Sequence, residues 1–463
     1  MSVVPAHDAS PAPPQGVPFG EALKFWLKLG FISFGGPAGQ IAIMHRELVE
    51  QKRWISERRF LHALNYCMVL PGPEAQQLAT YIGWLMHRTW GGVVAGGLFV
   101  LPSLAILIGL SWVYLAFGNV DWVAGLFYGI KPAVAAIVVH AVWRIGSRTL
   151  RHPAKVPLLW LIAIASFVAI AILKIPFPWV VGAAALAGVV GGRLVPEQFA
   201  TGGGHGGRVG APSGEARLPY LIDDGTPTPR HALFRKSRLA WVAIAGALLW
   251  LAPMALLVGA WGWEGTLAQM GWFFTKAALL TFGGAYAVLP YVYQGAVEHH
   301  QWLTGAQMID GLALGETTPG PLIMVVAFVG FVGGWARQVL GPDALFLGGA
   351  LAAAVVTWFT FLPSFLFILA GGPLVESTHG KLGFTAPLTA ITAAVVGVIG
   401  SLALFFLAHI AGARSTLGLP FDGVSLLIAA AAAVALFRFK AGVIPVIAGC
   451  ALAGMTLRLL GAA

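Results

Sequence analysis

The chain has 463 residues and a mass of 48.6 kDa; 58% of the residues are hydrophobic and 10% charged. Soluble domains carry about 25% charged residues, and at a mean hydropathy of +0.81 no soluble fold of this length could hide so much apolar surface, which implies a polytopic membrane protein. The net charge of +10 does not point to nucleic acid, because the basic residues lie in a few loops between apolar segments, the positive-inside pattern.

Residues 1–18, MSVVPAHDASPAPPQGVP, lack a charged start and an apolar core. They read as a disordered tail and not as a signal peptide. Apolar segments follow at 20–44, 59–86, 92–117, 122–146, 156–174 and 175–195. Residues 196–237 then carry GGGHGG, several prolines, Asp223-Asp224 and a basic end, a loop by composition. Further segments run at 239–260, 267–290, 308–333, 344–370, 385–410, 421–437 and 439–460, about 13 hydrophobic segments altogether. Cys67 and Cys450 both lie in apolar segments and share no close-spaced motif, so neither a disulfide framework nor a metal site is expected.

The two sets of six segments resemble each other. At a constant offset of 248, Phe34-Gly35-Gly36 falls on Phe282-Gly283-Gly284, Trp54-Ile55-Ser56 on Trp302-Leu303-Thr304, and Pro71-Gly72-Pro73 on Pro319-Gly320-Pro321. Phe25, Lys28 and Glu50 match Phe273, Lys276 and Glu298 at the same offset, and after a gap of 13 Pro102-Ser103 meets Pro363-Ser364. Three rare motifs keeping one ungapped offset mark an internal duplication.

The repeats are expected to be inverted, because the single extra segment at 239–260 turns the second half over. The loop after the first segment holds Arg46, Lys52, Arg53, Arg58 and Arg59, whereas its counterpart at 295–306 holds no Lys or Arg. The predicted fold is therefore an all-α polytopic membrane protein of two inverted-topology repeats with broken or re-entrant helices. The expected units are the tail 1–18, a first repeat 19–195, a cytoplasmic linker 196–237, an extra transmembrane helix 238–262 and a second, inverted repeat 263–463. The N-terminus is expected in the cytoplasm and the C-terminus on the far side. Full crossing of both 20–44 and 59–86 would strand the basic loop 46–59 outside; re-entrant hairpins bent at FGGP and PGP keep it inside. Thirteen full crossings are the alternative, with the same end orientations.

Each bend ends one helix and starts another, and a starting end offers free N–H groups and a positive dipole end. Four such ends converging would make an anion site built mainly of backbone. Its candidate residues are Gly35, Gly36, Gly72, Gly283, Gly284 and Gly320 at the bends, with Ser33, Gln40, Gln76, Gln77, Thr281, Tyr286, Thr317 and Thr318 flanking them. The repeat-related Lys28 and Lys276 could balance two negative charges, or snorkel, or pair with Glu74 or Glu316. Those carboxylates suit either proton coupling or a structural salt bridge. Glycine and proline bends can equally be packing features alone.

The chain has no GxxxxGK[ST], no GxSxG elbow and no zinc triad. No catalytic residue, metal or cofactor is therefore expected. The residues alone lead to a secondary transporter for an anion.

FGGPAGQIA (34–42), LPGPEAQQLATYIGW (70–84), LTFGGAYAVLPYV (280–292) and ETTPGPLIMVVAFVGF (316–331) together resemble the chromate ion transporter family in its long-chain, two-domain bacterial form. The resemblance implies a multi-pass protein of the bacterial inner membrane that exports chromate from the cytoplasm and confers resistance. Sulfate is implied as a structural mimic and counter-substrate, with proton coupling as another option. A sulfate or related oxyanion uptake carrier and an anion channel are the alternative readings. The partners implied are chromate, sulfate and the lipid bilayer, with no nucleic acid and with a homodimer left open.

Overall fold

The computed structural model describes residues 16–118, 120–199, 220–282, 284–378, 385–412 and 422–461. Most of the tail 1–18, the linker residues 200–219 and Gly283 lie outside the described residues.

The first half opens with α1 (Phe19–Ile32) and α2 (Gly36–His45), then α3 (Glu57–Val69) and α4 (Glu74–Phe117). A helix of 14 residues such as α1 reaches about 21 Å, short of the roughly 30 Å hydrocarbon core. It cannot cross alone, and it breaks at the FGG motif. α4 is two arms joined by a turn at His87 and Arg88, whose backbone leaves the helical region. The arms lie in backbone contact: a Cβ added to Gly83 would come within 2.5 Å of the Gly91 carbonyl oxygen. α5 (Asp121–Thr149), α6 (Pro157–Ala171), α7 (Phe177–Leu194) and the short α8 (Pro196–Phe199) complete the half.

The extra helix is α9 (Lys236–Trp261). Only Gly246, Met254 and Leu257 of it are buried, so it presents its apolar sides outward. The second half runs through α10 (Thr266–Leu279), α11 (Ala285–Tyr293), α12 (Gly305–Thr317), α13 (Val325–Ala336), α14 (Leu345–Thr378), α15 (Thr385–Ala411), α16 (Gly423–Phe437) and α17 (Val443–Leu459). Among the described residues, six helices are long and apolar enough to cross a membrane.

The halves share local structure at the 248-residue offset. α2 ends in a π-helical turn at Arg46–Gln51, and α11 ends in one at Gln294–His299. Arg53 and Gln301 both take positive φ, of 53° and 51°. Ser56 caps α3 by accepting from the Arg59 N–H, and Thr304 caps α12 by accepting from the Gln307 N–H. The side chains differ where charge matters. Lys52 places its ammonium over the Trp54 ring at 4.8 Å. Its counterpart His300 stacks on Trp302 at 4.4 Å, and burial pushes that imidazole down to about 4, so this loop carries no cation there.

Packing between the halves is reciprocal. α5 lies against α16 and α17, and its counterpart α15 lies against α6 and α7. α1 packs on α4 as α10 packs on α14. One end of the bundle gathers the start of α3, the turn in α4, the linker and the end of α14. Arg59 reaches Glu376 at 3.8 Å, Tyr81 bonds Glu376, and His231 bonds the Trp84 carbonyl. The other end gathers Trp261, His300, Arg337 and Val339 through hydrogen bonds to backbone carbonyls.

The described part of the linker is a loop, and it is docked onto the first half. Leu221 and Ile222 donate to the carbonyls of Arg53 and Trp54 at 3.1 Å, and Ser56 donates back to Ile222 at 3.0 Å. Ile222 and Ala232 are buried, and Arg53 lies over the Tyr220 ring at 4.2 Å. Short apolar residues thus dock the described part of the linker onto the first half's basic loop.

Candidate functional site

The four bends meet pairwise across the two halves. The Gly72 N–H donates to the Thr281 carbonyl at 2.7 Å, and the Gly320 N–H donates to the Ser33 carbonyl at 2.8 Å. Each PGP bend of one half is therefore bonded to the FGG bend of the other. Gly72 has φ 126° and Gly320 φ 102°, values that exact a steric penalty from any residue with a Cβ. Space is also absent. A Cβ on Gly72 would lie 2.4 Å from Ser364 Oγ, and one on Gly320 would lie 2.8 Å from Ser103 Cβ.

Gly35 and Gly284 also take positive φ, of 88° and 92°, and start α2 and α11. Their surroundings differ: nothing lies within 4 Å of a Cβ on Gly284, and on Gly35 only Gly39 Cα at 3.7 Å. Gly36 is similarly open, with φ 66°. Gly284 faces a cavity of about 680 Å³ that is also lined by Pro37, Glu74, Arg144, Arg148 and Tyr286. The cavity runs from the basic end of α5 down to the starts of α2, α4 and α11.

The flanking polar residues divide by what they touch. Ser33 and Thr281 donate to the Leu29 and Ala277 carbonyls at 2.6 and 2.7 Å. Thr317 and Thr318 donate to the Leu314 and Gly315 carbonyls. Those four protons are engaged within their own helices, so these hydroxyls are not the free donors the sequence suggests. Gln40 donates to the Gly320 carbonyl and, at 3.4 Å, to the Ser33 carbonyl, which clamps the joined bends. Gln77 donates to the Pro71 carbonyl at 2.8 Å and Gln76 to Thr80 Oγ1 at 3.0 Å, leaving both Oε1 atoms without a partner. Tyr286 donates to the buried Glu316 carboxylate beside the cavity.

Lys28 and Lys276 are directed elsewhere. Lys28 pairs with Glu47 at 3.5 Å, its side chain 60% exposed. Lys276 is exposed, its ammonium 5.5 Å from the Trp272 ring centroid. Matched repeat positions therefore do not make them partners at the bends.

Several candidates escape sequence reasoning. Ser103 and Ser364, repeat-related and fully buried, face the PGP bends of the opposite halves, and among the described residues neither hydroxyl has a hydrogen-bond partner. Their repetition was visible as the paired Pro-Ser; their emptiness was not. Arg144 and Arg148 were legible as a basic loop but not as a cavity wall. Buried Asp310 accepts from Tyr114 at 2.9 Å and pairs with Lys131 at 3.5 Å, an interior ion pair for which no motif exists.

The arrangement suits a multivalent anion. Arg144 and Arg148 share the cavity wall with Glu50 and Glu74, and the starts of α2, α4 and α11 offer it helix N-termini that can receive an anion. Among the described residues no group of three or more His, Cys, Asp or Glu could hold a metal ion.

Comparison with known proteins gives the same direction. A family model described as chromate transporter matches residues 20–189 and again 268–455. The chain is 34% identical over 446 residues to a chromate transport protein of Pseudomonas aeruginosa, covering 96% of this chain and 92% of that one. It is 30% identical over 437 residues to a chromate transport protein of Cupriavidus metallidurans, with 94% and 92% covered. A probable chromate transport protein of Synechococcus elongatus is 29% identical over 386 residues, with 81% and 83% covered. No solved structure matches the chain.

Proposed function

This chain belongs to the chromate transporter family, and from that premise we propose that it is a secondary carrier exporting chromate across the bacterial inner membrane. The observation that carries the reading is the crossing of the four bends, with two serine hydroxyls beside it that are unpartnered among the described residues, and a cavity whose wall holds Arg144, Arg148 and the bend residue Gly284. Ser103, Ser364, Gln76 and Gln77, with the first-turn N–H groups of α4 and α13, form the proposed substrate shell. A glutamine amide can turn its NH₂ toward an oxyanion where its oxygen now lies unpartnered.

The second repeat is inverted in this proposal, and the bundle end carrying Arg53, Arg59 and the linker faces the cytoplasm. The charge difference between Lys52 and neutral His300 supports that orientation. The cavity then opens inward, where chromate enters.

Export needs no ATP. Moving two negative charges out of a negative interior gains about 4.6 kcal/mol per 100 mV, roughly a 2,000-fold outward bias. Sulfate, also a tetrahedral dianion, is the proposed competitor and exchange partner. Glu74 on the cavity wall and Glu316 behind Tyr286 favour proton-coupled exchange as the second reading, because a dianion next to them is accommodated only when their charge is neutralised.

Everted membrane vesicles given radiolabelled chromate test this. Saturable uptake that sulfate competes away is expected. Flux linear in chromate would indicate a channel, and no flux above vesicles lacking the protein would remove the proposal.

A further inference from the structure

At the turn between the arms of α4, a basic pocket and an apolar groove meet and share one side chain, Arg88. The pocket, about 450 Å³, is walled by Arg88 from the turn and by Arg230, Arg235 and Arg238 from the linker end and the start of α9. Among the described residues none of these four guanidiniums pairs with a carboxylate. Arg238 reaches only Thr89 Oγ1, at 3.4 Å, and lies 5.8 Å from the Trp84 ring centroid. His231 adds no charge. Burial, with Arg238 and Arg88 close by, holds its imidazole below the ordinary range, and it donates to the Trp84 carbonyl at 3.0 Å. Four cations with no counter-charge among the described residues are a cost to the fold that a bound anion removes.

The groove, about 740 Å³, continues from Arg88 along Phe19, Met86, His87, Trp90 and Val94 and is mainly apolar. Trp90 and Trp241, 74% and 71% exposed, flank the two hollows. Exposed tryptophans on apolar helices belong at headgroup depth. The turn itself is unusual. Arg88 has φ 59°, a conformation that costs nothing only for glycine. An arginine held there is strain at a charged position, and such strain collects at ligand clamps.

We propose that this paired hollow binds one anionic phospholipid, with its phosphate among the four arginines and an acyl chain in the groove. A free phosphate or other small oxyanion shares the headgroup chemistry but leaves the apolar groove and the tryptophans without a role. A zwitterionic lipid would bring a positive headgroup to four guanidiniums. The bound lipid would tie the α4 turn, the linker and α9 together, and the first arm of α4 starts beside the PGP bend. The inference does not depend on what the carrier transports.

The test is native mass spectrometry of the full, delipidated chain with phosphatidylglycerol, phosphatidylcholine or inorganic phosphate added separately. One phosphatidylglycerol per chain is expected, preferred over phosphatidylcholine by about tenfold or more, with millimolar phosphate failing to displace it. Arg88→Gly relaxes the turn while removing the charge, and should weaken phosphatidylglycerol binding at an unchanged size-exclusion profile. Adding Arg235→Gln and Arg238→Gln should bring the loss to roughly 100-fold. Equal binding of both lipids, displacement by phosphate alone, or wild-type phosphatidylglycerol binding by Arg88→Gly would overturn the inference; the single variant carries the test if the triple one does not fold.

Discussion

The Gly320 N–H donates to the Ser33 carbonyl across 2.8 Å, and this bond joins the second half's PGP bend to the first half's FGG bend. Its mirror, Gly72 to Thr281 at 2.7 Å, closes the ring from the other side. A backbone carbonyl freed by a helix break has no water to turn to inside a membrane. Here each break satisfies the other half's break, so neither half can keep its bends alone. Four consequences can be measured.

The bend glycines should separate into two classes. Gly72→Ala and Gly320→Ala combine positive φ, costing about 1–2 kcal/mol, with a clash against Ser364 or Ser103 that costs about 1–3 kcal/mol more. Both should lower the amount of folded protein in the membrane. Gly35→Ala and Gly284→Ala meet no clash. They should accumulate nearer to wild type, and any loss of transport in them reflects the bend and not misfolding. Membrane abundance by quantitative blotting checks the ranking.

Ser103→Ala and Ser364→Ala should not destabilise the protein, because each removes a buried hydroxyl that has no partner. If these hydroxyls bond a dianion, each such bond is worth about 1.5–3 kcal/mol. Apparent affinity for chromate should then fall roughly 10- to 100-fold at unchanged thermal stability. A drop in melting temperature with normal affinity would assign the serines to packing.

Arg144→Gln and Arg148→Gln should raise the apparent KM by roughly fivefold and flatten its dependence on salt, with maximal flux nearly unchanged. Charges at a mouth act on capture, and salt screens them over about 8 Å at physiological ionic strength. Flux at several ionic strengths separates this from a structural defect.

Cysteines placed at Arg58 and His299, both exposed, should label from opposite sides once Cys67 and Cys450 are replaced. An impermeant thiol reagent applied to intact cells should reach only position 299. Labelling of both from outside would contradict the inverted arrangement.

What the sequence carries and what it hides follow from range. The bends were legible because positive φ demands glycine locally, and FGG and PGP recur at one offset. Ser56 and Thr304 were legible as matched positions of the repeat, while their role as caps of α3 and α12 is seen only in the structure. The bonds from Gly72 to Thr281 and from Gly320 to Ser33 span more than 200 residues and leave no composition signal. Lys28 and Lys276 show the reverse: a matched pair in the sequence whose partners, Glu47 and Trp272, are unrelated by the repeat. The docked linker was hidden because a few scattered residues, among them Tyr220 to Ile222, His231 and Ala232, do the docking within a segment whose composition reads as loop.

The most direct test of the central claim is chromate flux in proteoliposomes reconstituted with the purified chain, compared with the Ser103→Ala/Ser364→Ala variant at matched protein density and an imposed membrane potential. The account predicts saturable flux toward the positive side for the wild type, and for the double variant an affinity lower by at least roughly 100-fold with the fold intact. Wild-type flux no greater than that of empty liposomes, or a double variant moving chromate with wild-type affinity, would contradict it.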